Sequence, residues 1–462
     1  MAALSERKLE IVRTLVETAP DKVVNGLHQA LAEASGDTAL ASVRRLVETE
    51  SRDRQLRNIV LLPIAPMCVG DGRDPLRLTF PARVMGLIWR GLKAYHPAVV
   101  TNAELALYDY RPGETSNDQF DRLLRLAAKG VRAAEHREFR TVGEICDAAR
   151  PDGAAALLAC LDLGGVVRGA AHKLPAWTAQ QNGDATIAAR LAYKDAVAIS
   201  DDAGPRFFQM LAAQLQNDWM ILRIVSAVMD KPTERYLAET ELGMFGQYIL
   251  HEIENALDGI ATFDLDGGAP AAVEAGRQVD QVTQQATDLE TYVTVSREHG
   301  WGKALVKHRK SLAAIVEGRF REAEKYFAEA LPGVRTKGKG ARRNAPDLSQ
   351  PPDPVAVRRC TTLLTFVGEV RFSSNYGGFA SARSKLLESL GEQLDQHVAE
   401  LLDLLKTGEA ETAANIRAYL DVAADFSGQV RDEKAAELVR RRAASAAAPP
   451  PVDTVARLIA GT

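Results

Sequence analysis

The sequence has few of the residues that usually carry metal binding or disulfide formation. Its 462 residues include only four cysteines and eight histidines, and no two cysteines stand as close as in a Cys-x-x-Cys motif. No two histidines lie four residues apart, so we expect no metal site. Isolated cysteines are typical of a chain that folds in a reducing compartment, where cysteine serves as a small hydrophobic residue.

The chain also has no large excess of either charge and no long apolar segment. Lys plus Arg number 57 against 61 Asp plus Glu, so a nucleic-acid site would have to be a local patch. The apolar run at 59–69 is too short for a membrane helix and contains Pro63 and Pro66. The N-terminus carries charges from Glu6 onward, unlike a signal peptide. We expect a cytoplasmic protein without a membrane span; abundant Ala, with Arg preferred over Lys, is typical of a GC-rich bacterial genome.

Signatures of catalysis and phosphate binding are missing as well. The sequence contains no G-x-S-x-G elbow and no complete G-x-x-x-x-G-K-[ST] loop. His251 stands near Glu252 and Glu254 but lacks the second histidine of H-E-x-x-H, which favours a solvated helix face. We predict no catalytic residue and no cofactor. An active site assembled only in the tertiary structure, around His251 or Asp218, stays open as an alternative.

Apolar residues recur at helical spacing along most of the chain and predict an all-α protein built of several bundles. One apolar face from Phe208 to Met229 predicts a single long helix that stops at Lys231-Pro232. At most one or two short strands are expected, near residues 76–80, where the sequence LRLTF alternates.

Composition and helix breakers suggest six segments. These are an N-terminal helical bundle (1–56), a Pro/Gly-rich connector with a helical domain (57–200), a central helical domain (201–334), a basic Pro-rich linker or loop (335–354), C-terminal helical hairpins (355–442) and an Ala/Pro tether with a short amphipathic tail (443–462). A seam of apolar residues at 390–405 is close to a coiled coil and would allow an oligomer. The spacing does not decide whether this seam pairs within or between chains.

One pattern occurs twice. Gly318-Arg-Phe320 is followed by small and apolar residues that include Ala323 and Phe327, and Gly377-Gly378-Phe379 is followed by Ala382 and Leu386. Each copy follows a predicted helix, at 303–316 and 361–372. The pattern resembles the second helix of a tetratricopeptide repeat, at about 303–332 and 361–391. That resemblance implies helical hairpins and a protein-binding surface, which Phe320, Phe327, Phe379 and Leu386 would support from within. Ordinary hairpin packing in an Ala-rich chain is an equal alternative.

Two further segments are candidates for binding. The basic segment comprises Arg335, Lys337, Lys339, Arg342 and Arg343, and could neutralise phosphates or an acidic partner, although such runs are usually just solvated. In the C-terminal tail, Val455, Leu458 and Ile459 recur at helical intervals and could fold into a partner's groove. A frayed tail is the alternative.

Taken together, these features predict a non-enzymatic scaffold or regulatory adaptor that binds a partner protein through its helical hairpins. A nucleic-acid-associated regulator that uses the basic segment is the second hypothesis. An enzyme with an unrecognised helical active site is the third.

Overall fold

The computed structural model describes residues 6–33, 40–110, 118–179, 183–200, 202–336, 343–407 and 412–447. Most of these residues are helical, which confirms the predicted all-α class. Contacts divide the chain into two compact units: unit 1 comprises residues 1–248 and 292–294, and unit 2 comprises residues 249–291 and 295–462. The division falls inside helix α14 (Gly243–Thr262), within the segment 201–334 that the sequence treats as one domain. A continuous helix gives the sequence no breaker at which to place that boundary.

In its described residues, unit 1 consists of helices with a long loop at 61–82. Its helices are α1 (Glu6–Thr18), α2 (Asp21–Glu33), α3 (Ala41–Val60), α4 (Arg83–Tyr95), α5 (Pro97–Asp109), α6 (Asp118–Ala133), α7 (Arg137–Ala149), α8 (Gly153–Ala171), α9 (Leu174–Thr178), α10 (Gly183–Val197), α11 (Ala203–Gln214), α12 (Ile221–Met229), α13 (Glu234–Ala238) and the start of α14. Helix α8 packs against α6, α7, α10 and α11 and forms the centre of the unit.

The first three helices form the bundle that their apolar spacing predicts. Val16, Val24 and Val47 contribute one buried residue from each helix to a small core. The buried Arg54 of α3 closes the other end of this bundle, because its guanidinium donates to the carbonyls of Val16 (2.9 Å) and Ala19 (2.7 Å) at the end of α1. The last carbonyls of a helix have no partner inside the helix, so a cation from a neighbouring helix stabilises that end.

Arginines from neighbouring elements donate to the last carbonyls of other helices as well. Arg168 of α8 donates to Ile59 and Val60 at the end of α3, and Arg319 donates to Ile260 and Ala261 at the end of α14. Further arginines bind the last carbonyls of α2, α9, α12 and, in unit 2, α17 (Pro354–Glu369). These arginines link each helix end to a neighbouring element, which no spacing rule within one helix predicts.

The helix α8 also bears on the membrane question. Among the described residues, α8 alone is long and apolar enough to cross a membrane, with a mean hydropathy of 1.5. The sequence-based expectation of no membrane span rested only on the shorter apolar run at 59–69. Half of the α8 segment is buried inside unit 1, and its Arg168 is bonded to other helices. Those are the properties of a core helix in a folded unit.

The long loop of unit 1 connects α3 to α4 and contains no strand. At residues 76–80, where the sequence allows a short strand, the structure has a loop: only Phe80 forms an isolated bridge, with Cys68. Phe80 donates its amide to the carbonyl of Met67 (2.8 Å) and accepts from the amide of Val69 (2.9 Å). Asp74 accepts from the amides of Leu76 and Arg77, so the intervening residues form a tight turn instead of pairing in a sheet.

The prediction of one continuous helix from Phe208 to Met229 is wrong. Helix α11 ends at Gln214, Leu215 and Asn217 are extended, and α12 begins at Ile221. The polar residues 216–218 interrupt the apolar face, and Asn and Asp readily leave the helical conformation by competing for backbone hydrogen bonds. The break turns Asp218 and Trp219 toward the loop at 66–79, where they line a cavity.

Unit 2 is helical apart from one β-hairpin. It contains the rest of α14, α15 (Gly268–Tyr292) except its last residue, α16 (Gly300–Ala330), β1 (Gly333–Thr336), β2 (Arg343–Pro346), α17 (Pro354–Glu369), α18 (Ser374–Gly377), α19 (Ala380–Thr407), α20 (Ala413–Val430) and α21 (Glu433–Ala447). Helix α16 packs against α17 and α19, while α20 packs against α17, α19 and α21.

The first of the two predicted hairpins does not form. Residues 300–330 are one continuous helix, so Gly318 is an interior residue of α16 and not a turn. A glycine in a helix costs only about 1 kcal/mol relative to alanine, and the buried stripe of Leu312, Val316 and Phe320 continues past it without a shift in period. In the second copy, α17 and α19 are separate helices, as predicted, and a turn with Gly378 at φ 81° precedes α19.

The segment 335–354, predicted as a basic Pro-rich linker or loop, contains the end of strand β1 and the whole of strand β2. Strands β1 and β2 pair antiparallel, with Val334 opposite Ala345 and Thr336 opposite Arg343. Side chains of α20 then hold the following loop: Asn415 donates to the carbonyl of Leu348, and the Tyr419 hydroxyl donates to that of Gln350.

The apolar seam of α19 is buried within the chain. Leu390, Leu394, Val398 and Leu401 are buried, and α19 packs against α20 and α21. These four residues therefore offer no free face to a second copy.

Candidate functional site

The two copies of the repeated pattern meet in unit 2, where they form the floor of an open groove between α16 and α19. The rings of Phe320 and Phe379 lie 6.1 Å apart in an edge-to-face arrangement. Phe320 and Leu386 line the groove from beneath, and both are buried. The groove encloses about 500 Å³. Three of the four predicted hairpin residues are thus brought together.

The fourth, Phe327, lies elsewhere. It is buried against Phe426 of α20, with the two ring centres 5.7 Å apart, and does not line the groove. Phe327 is seven residues beyond Phe320 on α16, about 10 Å along the helix axis. It belongs to the core beneath the hairpin region.

Charged side chains of both signs stand around the groove. Glu317, Arg321 and Glu324 project from one face of α16, because their spacing follows the helical repeat. Lys385 stands on the opposite wall, in α19. In the described part of the chain, no ion pair involves any of these four residues, although many other arginines of the protein bind carboxylates.

Small residues form much of the α19 wall. Gly378, Ser381, Ala382 and Ser389 line it at helical spacing, beside Lys385 and Leu386. Short side chains leave the backbone of α19 accessible, so a third helix can approach closely. The groove therefore has an apolar floor, one wall of small residues and unpaired charges at its rim.

The other predicted binding residues are only partly described. Arg335 lies in β1 opposite Asn344, and Arg343 lies in β2 opposite Thr336, so the hairpin places their backbones on neighbouring strands. Lys337, Lys339 and Arg342 lie outside the described residues, as do Val455, Leu458 and Ile459 of the tail.

A second candidate site is a cavity of about 220 Å³ in unit 1. Its walls come from the loop at 66–79, from α11 with the turn that follows it, and from the first residues of α14. The apolar lining includes Met67, Leu78, Ala213, Trp219 and Phe245. Sequence reasoning named only Asp218 here. The signal it could have used is the polar interruption at 216–218 inside an otherwise apolar helical face.

The cavity lining contains one ion pair and one further carboxylate. Arg77 and Asp218 form an ion pair with an N–O distance of 2.7 Å. The guanidinium of Arg77 also lies 4.2 Å from the ring centre of Tyr248, a favourable cation–π geometry. The carboxylate of Asp74 is engaged by the backbone of its own turn.

Gln209 and Thr79 are the buried polar residues of the cavity lining, and the hydroxyl of Thr79 accepts from the amide of Asp74. The Oε1 of Gln209 accepts a hydrogen bond from Arg206 (2.8 Å), and its Nε2 lies 2.8 Å from the sulfur of Met244. A guanidinium can only donate, so the amide oxygen must face Arg206 and the amide nitrogen must face Met244. A thioether is a weak acceptor, so the Nε2 donor is poorly satisfied.

The titratable side chains of the cavity lining are Asp74, Arg77, Asp218 and Tyr248. Among the described residues that line the cavity there is no His, Cys or Lys. Burial raises the pKa of the Cys146 and Cys160 thiols to about 12, which keeps both protonated and unreactive near neutral pH. His251 is exposed on α14, away from the cavity lining. Within the described ranges, no group of three His, Cys, Asp or Glu side chains could hold a metal ion.

Compared with family models, with curated proteins and with solved structures, the chain matches none. The tetratricopeptide resemblance therefore rests on the sequence pattern alone, and its first hairpin is a single helix. Function has to be inferred from the groove and the cavity themselves.

Proposed function

We propose that this protein is a non-enzymatic adaptor whose unit 2 binds an amphipathic helix of a partner protein in the groove between α16 and α19. The observation that carries the proposal is the set of unpaired charges at the groove rim: Glu317, Arg321, Glu324 and Lys385. Complementary charges on a partner would pair with them and determine which helix binds and in which direction.

The dimensions of the groove suit a short helix. From Ser381 to Ser389 the α19 wall runs for about 12 Å at 1.5 Å per residue, or about two helical turns. A partner helix would place apolar residues at i, i+3 or i+4, and i+7 above Phe320 and Leu386. The small residues of α19 would allow close contact.

The chemistry of the rim defines the partner further. Two acidic groups and one basic group stand on α16, and one basic group stands on α19. The partner helix should therefore carry Lys or Arg on the flank that faces Glu317 and Glu324. It should carry Asp or Glu where it approaches Lys385.

Site-specific photo-crosslinking in the source organism tests this proposal. A photoreactive residue at Ser381, in the groove, should crosslink to a partner protein, whereas one at Lys303, exposed on α16 outside the groove, should not. The crosslinked peptide of the partner should be amphipathic and helical in isolation or on binding.

Charge reversal supplies the matched comparison. The double variant Arg321→Glu with Lys385→Glu should lose the crosslink and bind the purified partner helix roughly tenfold more weakly, since each rim pair contributes up to about 1 kcal/mol. Lys303→Glu with Lys310→Glu changes the net charge equally but leaves the groove intact, and should bind normally. Equal crosslinking at both positions, or binding unaffected by the groove variant, would overturn the proposal.

A further inference from the structure

We propose that the cavity of unit 1 binds a small, planar, uncharged molecule of one or two rings that carries a hydrogen-bond acceptor, recognised by the side-chain amide of Gln209. This site is separate from the groove and does not depend on the adaptor function.

The size and lining of the cavity set the class of ligand. An apolar cavity of about 150 Å³ is enough for benzene, and this cavity offers about 220 Å³. Its wall combines methionine, leucine and aromatic side chains, which adapt to flat ligands and favour contact with ring faces and edges. One ring, or two fused rings, fits this volume.

Gln209 defines the polar group of the ligand. Its side chain is only 8% exposed, and Arg206 already occupies its oxygen. The amide nitrogen, held against the sulfur of Met244, is a donor without a strong acceptor. A ring nitrogen or carbonyl oxygen of a ligand would supply the missing acceptor. The resulting hydrogen bond would satisfy the buried Nε2 donor and fix the orientation of the ring.

The ion pair of Arg77 and Asp218 excludes charged ligands. Each partner already neutralises the other at 2.7 Å. A ligand carboxylate would have to break this pair or face the carboxylate of Asp74, and a ligand cation would face the guanidinium of Arg77 and the Nε2 donor of Gln209; both are unfavourable.

Three probes of nearly one shape test the inference on the full chain. Quinoline has an acceptor nitrogen, naphthalene has none, and N-methylquinolinium is charged. The readout is the indole N–H signal of Trp219, which lines the cavity, in two-dimensional NMR at pH 8; the other three tryptophans of the chain do not line it. Quinoline should shift the Trp219 signal saturably, naphthalene should bind roughly three- to tenfold more weakly, and N-methylquinolinium should cause no shift.

Substitutions separate recognition from shape. Gln209→Met should make quinoline and naphthalene bind equally, whereas Gln247→Met, an exposed residue of α14, should change nothing. Ala213→Leu keeps every polar group but fills the cavity, so it should abolish binding while the Trp301 signal of unit 2 stays in place. The inference is overturned if no probe shifts Trp219, if quinoline and naphthalene bind the unmodified chain equally, if N-methylquinolinium binds as well as quinoline, or if Ala213→Leu binds normally.

Discussion

Replacing Arg168 by methionine should destabilise unit 1 severely. The side chain of Arg168 is 2% exposed and forms an ion pair with Asp121 of α6, with an N–O distance of 3.0 Å. It also donates to the carbonyls of Ile59 (2.5 Å) and Val60 (2.6 Å) at the end of α3. Methionine retains much of the side-chain volume but none of the donors, so three acceptors lose their partner.

The size of the destabilisation follows from the carboxylate and the carbonyls that Arg168→Met leaves without a donor. A hydrogen bond to a charged group contributes about 1.5–3 kcal/mol, but the three bonds share one guanidinium and are not additive. Breaking a buried ion pair by removing one partner costs about 3–5 kcal/mol. We expect the free energy of unfolding of unit 1 to fall by about 3–5 kcal/mol.

Urea unfolding followed by tryptophan fluorescence measures this loss, because Trp89, Trp177 and Trp219 all lie in unit 1. The matched control is Arg132→Met. Arg132 and Asp162 also join α6 to α8, at 2.7 Å, but their side chains are 58% and 33% exposed. An exposed pair of this kind contributes about 0–1 kcal/mol.

A second substitution isolates the orphaned carboxylate. In the Arg168→Met background, Asp121→Asn removes the unpaired charge and should recover about 1–2 kcal/mol. A loss below about 1 kcal/mol for Arg168→Met, or a loss equal to that of Arg132→Met, would refute the reasoning that buried arginines hold these helix ends.

Three further predictions concern unit 2. Burial lowers the pKa of His397 to about 4, and its Nε2 has no hydrogen-bond partner among the described residues. Protonation of His397 thus favours the unfolded chain, so the stability that the neutral side chain contributes above about pH 6.5 is lost as the pH falls toward 4. Urea unfolding followed at Trp301 should show that the free energy of unfolding falls by about 2 kcal/mol between pH 7.5 and 5. The variant His397→Phe should lack this loss. Phe379→Ala should cost about 3–5 kcal/mol in the same assay, because Phe379 is fully buried, whereas Phe372→Ala should change stability by less than about 0.5 kcal/mol, because Phe372 is 78% exposed. A nucleic-acid role for the basic segment requires binding that weakens steeply between about 50 and 200 mM salt and disappears when its five cations become alanine; mobility-shift binding that persists in that variant excludes it.

Local spacing was sufficient where each helix buries one continuous apolar stripe. The three N-terminal helices and the long α19 follow this rule, and for the same reason the all-α class could be predicted. Apolar spacing did not predict helix ends correctly where contacts with neighbouring elements decide where a helix stops. The apolar face from Phe208 to Met229 is interrupted by the polar residues 216–218, of which Gln216 and Asp218 line the cavity. Gly318 stays helical because the buried stripe of α16 continues past it.

The sequence by itself determined the all-α class, and it grouped Phe320, Phe379 and Leu386 as apolar residues that follow a glycine. Apolar periodicity records how each segment meets a core, so it carries that information locally. Only the tertiary structure decided that Phe320 and Leu386 line a groove, with the buried Phe379 ring packed against Phe320, and that Asp218 meets Arg77 in a cavity. It also decided that Arg168 holds the end of α3, more than one hundred residues away. Such contacts depend on how helices pack against one another, and no spacing within a helix encodes its partner.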